Sequence, residues 1–167
     1  MRKLSRIERT HGVAEIADGV WLGPMPDSID FVESLCLECG VSGVVTVQTD
    51  VDLLSLGVTW NEMASLLRRG GVTEAVRVPI TDFDEQTLAA LLPPAIDAVH
   101  GLRAAGRGTY VHCTAGLNRS PTVAIGYLVA YHGMSLERAW TTVSSRRRVL
   151  PLRGALERWI DGLRQSA

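Results

Sequence analysis

The segment Tyr110-Val-His-Cys-Thr-Ala-Gly-Leu-Asn-Arg-Ser-Pro121 reads as a strand that enters a tight loop and passes straight into a helix. Such a junction aims several backbone N–H groups and the positive end of the helix dipole at one point, and that point attracts an anion. Cys113 ends the strand with its sulfur facing these donors, which favours the thiolate over the thiol. Arg119 lies six residues further on, spaced to swing back over the loop and grip two phosphate oxygens with its planar fork. Gly116 permits a close backbone approach, and Asn118 is among the few non-glycine types that tolerate positive φ. Thr114, Ala115, Leu117 and Asn118 complete the loop around the anion, and Ser120 is placed to donate a hydrogen bond to the sulfur and help it leave. The pattern His-Cys-x-x-Gly-x-x-Arg-Ser arises by chance in a chain of this length with a probability on the order of 10⁻⁵ to 10⁻⁴. The alternative, a buried core cysteine beside a surface arginine, leaves that coincidence unexplained.

Working outward, Thr109–Val111 is a strand too short to lie anywhere but buried in a sheet. Upstream, short β-branched runs alternate with helical patterns: strands at Val20–Leu22, Gly43–Val47 and Ala75–Pro79, helices at Ile29–Glu38 and Trp60–Arg69. From Asp84 to Ala105 the pattern is helical, with Ile96, Val99 and Leu102 facing the core. Pro93-Pro94 predicts a break or kink there, the second helix opening on a proline. Downstream, helices are expected at 119–131, 135–147 with Ser135 as N-cap, and 152–165. This order predicts an α/β fold with a small, mostly parallel central sheet, helices on both faces and the C-terminal helices grouped on one side. No repeat, low-complexity tract or Ser/Gly linker divides the sequence, so residues 1–167 are expected to form one domain with its core at about 16–160.

A chain of 167 residues with 46% hydrophobic and 21% charged residues has the composition of an ordinary globular domain, which disfavours disorder, collagen-like repeats and coiled coil. Lys plus Arg is 17 and Asp plus Glu is 18, for a formal net charge of −1, so no overall field draws the molecule to nucleic acid or an anionic membrane. The longest nearly apolar run, Thr122 to Tyr131, is about half of a bilayer span, and the basic stretch Met1 to Thr10 has no apolar run behind it. Neither a membrane span nor a secretory signal is expected. Three cysteines, an odd count, point to a reducing compartment, the cytoplasm.

His112-Cys113-x5-Arg119-Ser120 resembles the active-site loop of the cysteine-dependent protein tyrosine phosphatases, specifically the dual-specificity branch. Within it, Cys113-Thr-Ala-Gly-Leu-Asn-Arg119 is similar to the loop of the glucan phosphatases, the group of laforin and the plant starch-phosphate phosphatases. The likeness extends through Val47-Gln48-Thr49-Asp50 and Asp52–Leu56, Thr81-Asp82-Phe83-Asp84, and Ser145–Arg148. The resemblance implies a protein tyrosine phosphatase-like fold and a phosphate monoester hydrolase that works through a cysteinyl-phosphate, without metal or cofactor. Its substrate would be a phosphorylated glucan, or alternatively a phosphoprotein; an inactive phosphate-binding module is a third reading. The uncharged loop side chains argue against multiply phosphorylated inositol lipids.

A thiolate attacking phosphorus needs an acid for the leaving oxygen, and Asp82 and Asp84 are the candidates. By resemblance the first aspartate of the triplet, Asp82, is the acid; Asp82-x-x-Glu85 also reads as a capping box, and either aspartate could be an N-cap. His112 precedes the nucleophile on a strand, where neighbours face opposite sides, so it is expected to brace the loop. Phe83 beside the acid, and Trp60, are candidates for a platform against sugar rings, as in the resembled glucan enzymes. Trp21, Trp140 and Trp159 are assigned to packing; Cys36-x-x-Cys39 has redox or zinc-like spacing, but it lies in a helical pattern with no second pair to complete four ligands and is read as packing. Arg146–Arg148 reads as a solvated helix end, with lining of the entrance for a phosphorylated substrate as the alternative. His11, His100 and His132 lack ligand spacing, so no metal is expected.

Overall fold

The computed structural model describes residues 4–167; Met1, Arg2 and Lys3, part of the basic N-terminal stretch, lie outside the described residues. The elements run α1 (Arg6–His11), β1 (Ala14–Ala17), β2 (Val20–Gly23), α2 (Ile29–Cys39), β3 (Val41–Thr46), α3 (Asp50–Ser55), α4 (Trp60–Arg69), β4 (Glu74–Arg77), α5 (Glu85–Ala104), β5 (Gly108–His112), α6 (Arg119–His132), α7 (Leu136–Arg146) and α8 (Arg153–Ser166). Most helix starts carry a side-chain cap that satisfies otherwise orphaned N–H groups, as at Ser28, Thr49, Thr59, Asp84 and Ser135. Three elements go beyond the sequence expectations: α1, β1 and α3. Each is only four to six residues long, too short to show periodicity, although capping boxes Ser5-x-x-Glu8 and Thr49-x-x-Asp52 mark the two helices.

The strands form one sheet in the order β1-β2-β5-β3-β4. Only β1 is antiparallel to its neighbour; β2, β5, β3 and β4 all point the same way, so the mostly parallel α/β sheet expected from the alternating pattern is present. One face is covered by α1, α2 and α4, which bury Ile7, Phe31, Val32, Leu35, Met63 and Leu67 against Val44 and Tyr110. The other is covered by α5, α6, α7 and α8, which bury Leu92, Ile96, Ile125, Leu128, Val143 and Leu156 against Leu22, Val45 and Val111. Helix α6 is buried from Arg119 through Leu128, the pattern of a helix enclosed on all sides. All four parallel strands end on one side of the sheet, and in such folds the crevice outside the carboxyl ends is where ligands bind.

Pro93 and Pro94 do not break the helix: α5 runs unbroken through both. They lie on its exposed side, as does Ala90, while Leu88, Leu92, Ala95, Ile96, Val99 and Leu102 make an uninterrupted buried stripe. The carbonyls of Ala89 and Ala90 lose their N–H donors, yet Ala90 is at the surface, where water replaces the bond. Packing of the long apolar face therefore overrides the local cost.

His112 lies fully buried at the end of the central strand. Its Nδ1 is 3.0 Å from the carbonyl oxygen of Cys113 and its Nε2 is 2.8 Å from Thr46 Oγ1; a ring with Nδ1–H donating and Nε2 accepting satisfies both contacts. Burial pushes this imidazole down to about 4, a shift to which the charge of Arg119 adds and which the bond to Cys113 opposes. The unfolded chain therefore binds a proton below about pH 6.5 that the folded state refuses until about pH 4. Stability is full above this window and is lost as pH falls through it, by about 3 kcal/mol in all at 1.36 kcal/mol per unit. Urea unfolding at pH 7, 6 and 5 should show this slope, and His112→Gln should remove it; an unchanged slope in the variant would assign the effect elsewhere.

Candidate active site

Cys113 follows β5 directly and is 3% exposed. The hydroxyl of Ser120, in the first turn of α6, donates to its Sγ at 3.2 Å. Between them the loop turns its carbonyls outward, where each meets a donor from another part of the chain. Thr114 O accepts from Met25 N at 2.9 Å and Leu117 O from Leu150 N at 2.6 Å. Ala115 O and Gly116 O accept from the Arg147 guanidinium at 2.9 and 3.1 Å. Among the described residues, no acceptor is paired with the N–H groups of residues 114–118. A run of inward N–H groups at a helix start forms a concavity that attracts an anion. Gly116 has φ +66, and a Cβ there would lie 2.5 Å from the backbone of Gly23, so only glycine lets the loop pack against the end of β2. Asn118 does not use the positive φ that its side chain tolerates: its φ is −118, because it is the N-cap of α6, and the left-handed turn falls on Gly116 instead.

Arg119 is 1% exposed, so its charge needs partners. Nη1 donates to Asp52 Oδ2 at 2.6 Å and to the Ile80 carbonyl at 2.8 Å. Nη2 reaches Thr114 Oγ1 at 3.4 Å. Nε is 3.4 Å from Asp82 Oδ1, close enough for ion pairing but without hydrogen-bond geometry. Of the five guanidinium hydrogens, the Nε one and one on Nη2 thus have no hydrogen-bonding protein acceptor. Nε and Nη2 form one edge of the planar group, the edge that matches two oxygens of a phosphate.

The two candidate acids are set apart by their surroundings. Asp84 is the N-cap of α5: it accepts from the N–H groups of Gln86 and Thr87 at 3.0 Å and from Thr87 Oγ1 at 2.7 Å. The bonds from Thr87, and after them Gln86, hold its carboxyl below the usual range. Asp82 makes no such cap. It sits beside Arg119 and accepts only from Phe83 N, at 3.1 Å. Phe83 has φ 56, the one positive value outside glycine among the described residues, and is 81% exposed. Trp60 is elsewhere: it opens α4, packs partly buried on the cluster under α2 and α4, and carries the Arg77 guanidinium 5.2 Å above its ring. Cys36 and Cys39 pack on the same cluster, and burial, aided by neighbouring glutamates, pushes both thiols up, Cys39 to about 12.

Three residues of this arrangement were not singled out from sequence. Asp52 was read only within a stretch of likeness, yet it supplies the carboxylate for Arg119. Burial pushes that carboxyl up, but hydrogen bonds from Arg119 and Thr49 outweigh it and hold the group below its usual value. Gln48 is fully buried and donates to Thr114 Oγ1 at 3.0 Å. Arg147 departs from the solvated helix end expected for Arg146–Arg148: α7 stops at Arg146, Arg147 is extended at φ −157, and its guanidinium turns in to the loop and to the Gly12 carbonyl. All three lie within the stretches of family likeness, and Asp52 is marked in addition by the capping box at Thr49, but nothing local names their partners. Among the described residues no cluster of side chains could hold a metal ion.

Comparison with known proteins accords with this geometry. The profile "Dual specificity phosphatase, catalytic domain" matches residues 41–161. The chain is 30% identical over 146 residues to the phosphoglucan phosphatase DSP4, amyloplastic, of Castanea sativa, covering 84% of this chain and 38% of that one. It is 27% identical to dual specificity protein phosphatase 14 of Homo sapiens, covering 92% and 70% respectively. The chain thus spans well under half the length of the chestnut relative. Among solved structures, PTPMT1 in complex with PI(5)P superposes with a TM-score of 0.74 at 26% identity, covering 93% of this chain and 99% of that one. With a catalytic-domain match over most of its length, on a fold shared nearly end to end, the chain belongs to the dual specificity phosphatase family.

Proposed function

We propose that the protein hydrolyses phosphate monoesters through a cysteinyl-phosphate, and that its substrate is a phosphorylated glucan. The observation that carries the chemistry is the loop after Cys113, whose N–H groups have no protein acceptor while its carbonyls are all tied outward. Prearranged donors of this kind stabilise charge that develops during phosphoryl transfer.

In the proposed first step, Cys113 Sγ attacks phosphorus in line with the ester oxygen. The P–O bond breaks as the S–P bond forms, and Asp82 gives its proton to the departing oxygen. Arg119 and the N–H groups of Thr114, Ala115, Gly116, Leu117 and Asn118 hold the three remaining oxygens. In the second step Asp82, now ionised, takes a proton from water, whose oxygen forms the new P–O bond. Inorganic phosphate leaves, and the hydrogen bond from Ser120 steadies the returning thiolate. His112 supports the loop from beneath, and no cofactor enters.

The glucan reading is supported by Phe83. An aromatic held at positive φ and almost fully exposed beside Asp82 stores backbone strain where a ring could lie against a sugar face. The phosphoglucan phosphatase likeness supports it as well. Trp60 belongs to the same proposal only at a distance. The phosphoprotein reading is favoured by the likeness to dual specificity protein phosphatase 14, which covers more of both chains. No helix of the described residues is long and apolar enough to cross a membrane. We further propose one catalytic domain over residues 1–167, acting in the cytoplasm, where a reducing environment keeps Cys113 available.

Cys113→Ser should abolish release of phosphate from p-nitrophenyl phosphate, by about 10⁴-fold or more; retained turnover would refute the cysteinyl intermediate, and a wild type that binds tungstate without turnover would be a binding module. Asp82→Asn should cost roughly 10² to 10⁴ in kcat, whereas Asp84→Asn, which keeps an N-cap side chain on α5, should leave kcat nearly unchanged; the reverse result would exchange their roles. Gly116→Ala, forced against Gly23 at a positive φ, should reduce kcat/KM by roughly 10²-fold and also lower Tm. Phosphate release from phosphorylated amylopectin should exceed that from phosphotyrosine and phosphoserine peptides and should drop in Phe83→Ala; faster release from peptides would replace glucan by phosphoprotein.

A further inference from the structure

We infer that Arg77, set over the Trp60 ring, is a positioning residue that fixes the catalytic arginine and the phosphate loop from outside the site; this rests on the phosphatase reading above. Arg77 is the last residue of β4, and its side chain is only 18% exposed. Its guanidinium lies 5.2 Å above the Trp60 ring, and its fork divides between two acceptors of one turn. Nε donates to the Gln48 carbonyl at 3.2 Å, and Nη2 to Asp50 Oδ1 at 2.7 Å. The contact over the ring and the two hydrogen bonds together restrain the planar guanidinium.

From these two anchors, two short routes reach the site. Gln48, whose carbonyl Arg77 holds, donates its side-chain N–H to Thr114 Oγ1 at 3.0 Å, and Arg119 Nη2 meets the same oxygen at 3.4 Å. Asp50 opens α3, whose capping box sets Asp52: the one oxygen Oδ2 accepts from Thr49 N at 2.7 Å, Thr49 Oγ1 at 2.8 Å and Arg119 Nη1 at 2.6 Å. The carboxylate that orients Arg119 is therefore only as well placed as α3 itself.

Helix α3 has little else to hold it. Six residues are too few for a self-supporting helix, and Leu53 is its one buried residue, while Val51 and Leu54 are 77% and 61% exposed. An exposed ion pair to Asp50 would contribute little by itself. Arg77 adds the buried-side bond to the Gln48 carbonyl and the stack on Trp60, so the turn between β3 and α3 is gripped at both ends. Trp60 thereby has a part in the site through Arg77.

The test uses the full chain with p-nitrophenyl phosphate turnover and inhibition by vanadate. Arg77→Gln should lower kcat/KM and weaken vanadate binding, each roughly tenfold, and Trp60→Leu should do the same to a smaller degree. Arg77→Lys, which keeps the charge but not the planar fork, should recover little of either. Arg107→Gln is the control for an ion pair lost at the same strand, since Arg107 Nε binds Glu74 at 2.8 Å; it should leave both readouts unchanged. Combined with Asp52→Asn, Arg77→Gln should add almost nothing, because both act through the aim of Arg119. Wild-type kinetics and vanadate affinity in Arg77→Gln, whatever its Tm, or full multiplication with Asp52→Asn, would overturn the inference while leaving the phosphatase intact. A wild type that neither turns over p-nitrophenyl phosphate nor binds vanadate would overturn both. Should Arg77→Gln fail to fold, the same criteria apply to Trp60→Leu.

Discussion

A guanidinium withdrawn from water is the constraint around which the molecule is arranged. Arg119 is almost fully buried at the start of a helix that is itself enclosed, and an unpaired charge there would be strongly destabilising. The compensation comes from distant stretches of chain: a carboxylate from the turn after β3, a carbonyl from the segment after β4, and the hydroxyl of Thr114. Those partners occupy one side of the fork. The other edge, with Nε and one hydrogen of Nη2, is held in a fixed plane that suits a tetrahedral dianion.

A second arginine does the opposite work on the same loop. Arg147 approaches from outside and bonds the carbonyls of Ala115 and Gly116, which turns each peptide unit so that its N–H points inward. One cation thus presents its own N–H edge to the loop's concavity, while the other acts through peptide dipoles. The two amides at Met25 and Leu150 complete the outer ring. Because β2, β3, β4 and β5 all end on this side, the sheet supplies a rigid rim for a loop that has no regular structure of its own.

Legibility in the sequence followed the range of the interactions. The strand, loop and helix at 109–131, the alternation before them and the two helices after them are local patterns, and the structure carries them within a few residues. So is the cap at Ser135. Where a distant surface decided the outcome, the local rules fell short. Pro93 and Pro94 sit inside α5 because its apolar face is long enough to override them. Arg147 leaves solvent because the carbonyls it meets are some thirty residues away. The role of Asp52 was hidden for the same reason: its partner lies 67 positions later, and neither the stretch of likeness nor a capping box, common to many helices, names that partner.

The strand order has a further consequence for how the chain comes together. β5 is the last strand in sequence yet lies between β2 and β3, so until residue 112 is available the earlier strands form two separate pairs, β1-β2 and β3-β4, each with a raw inner edge. Contacts of such sequence separation close slowly, and unpaired edges invite pairing with other chains. During synthesis the first hundred residues are therefore a liability, and insertion of a single five-residue segment both zips the sheet shut and delivers the nucleophile at its tip. Assembly of the architecture and birth of the reactive centre are one event.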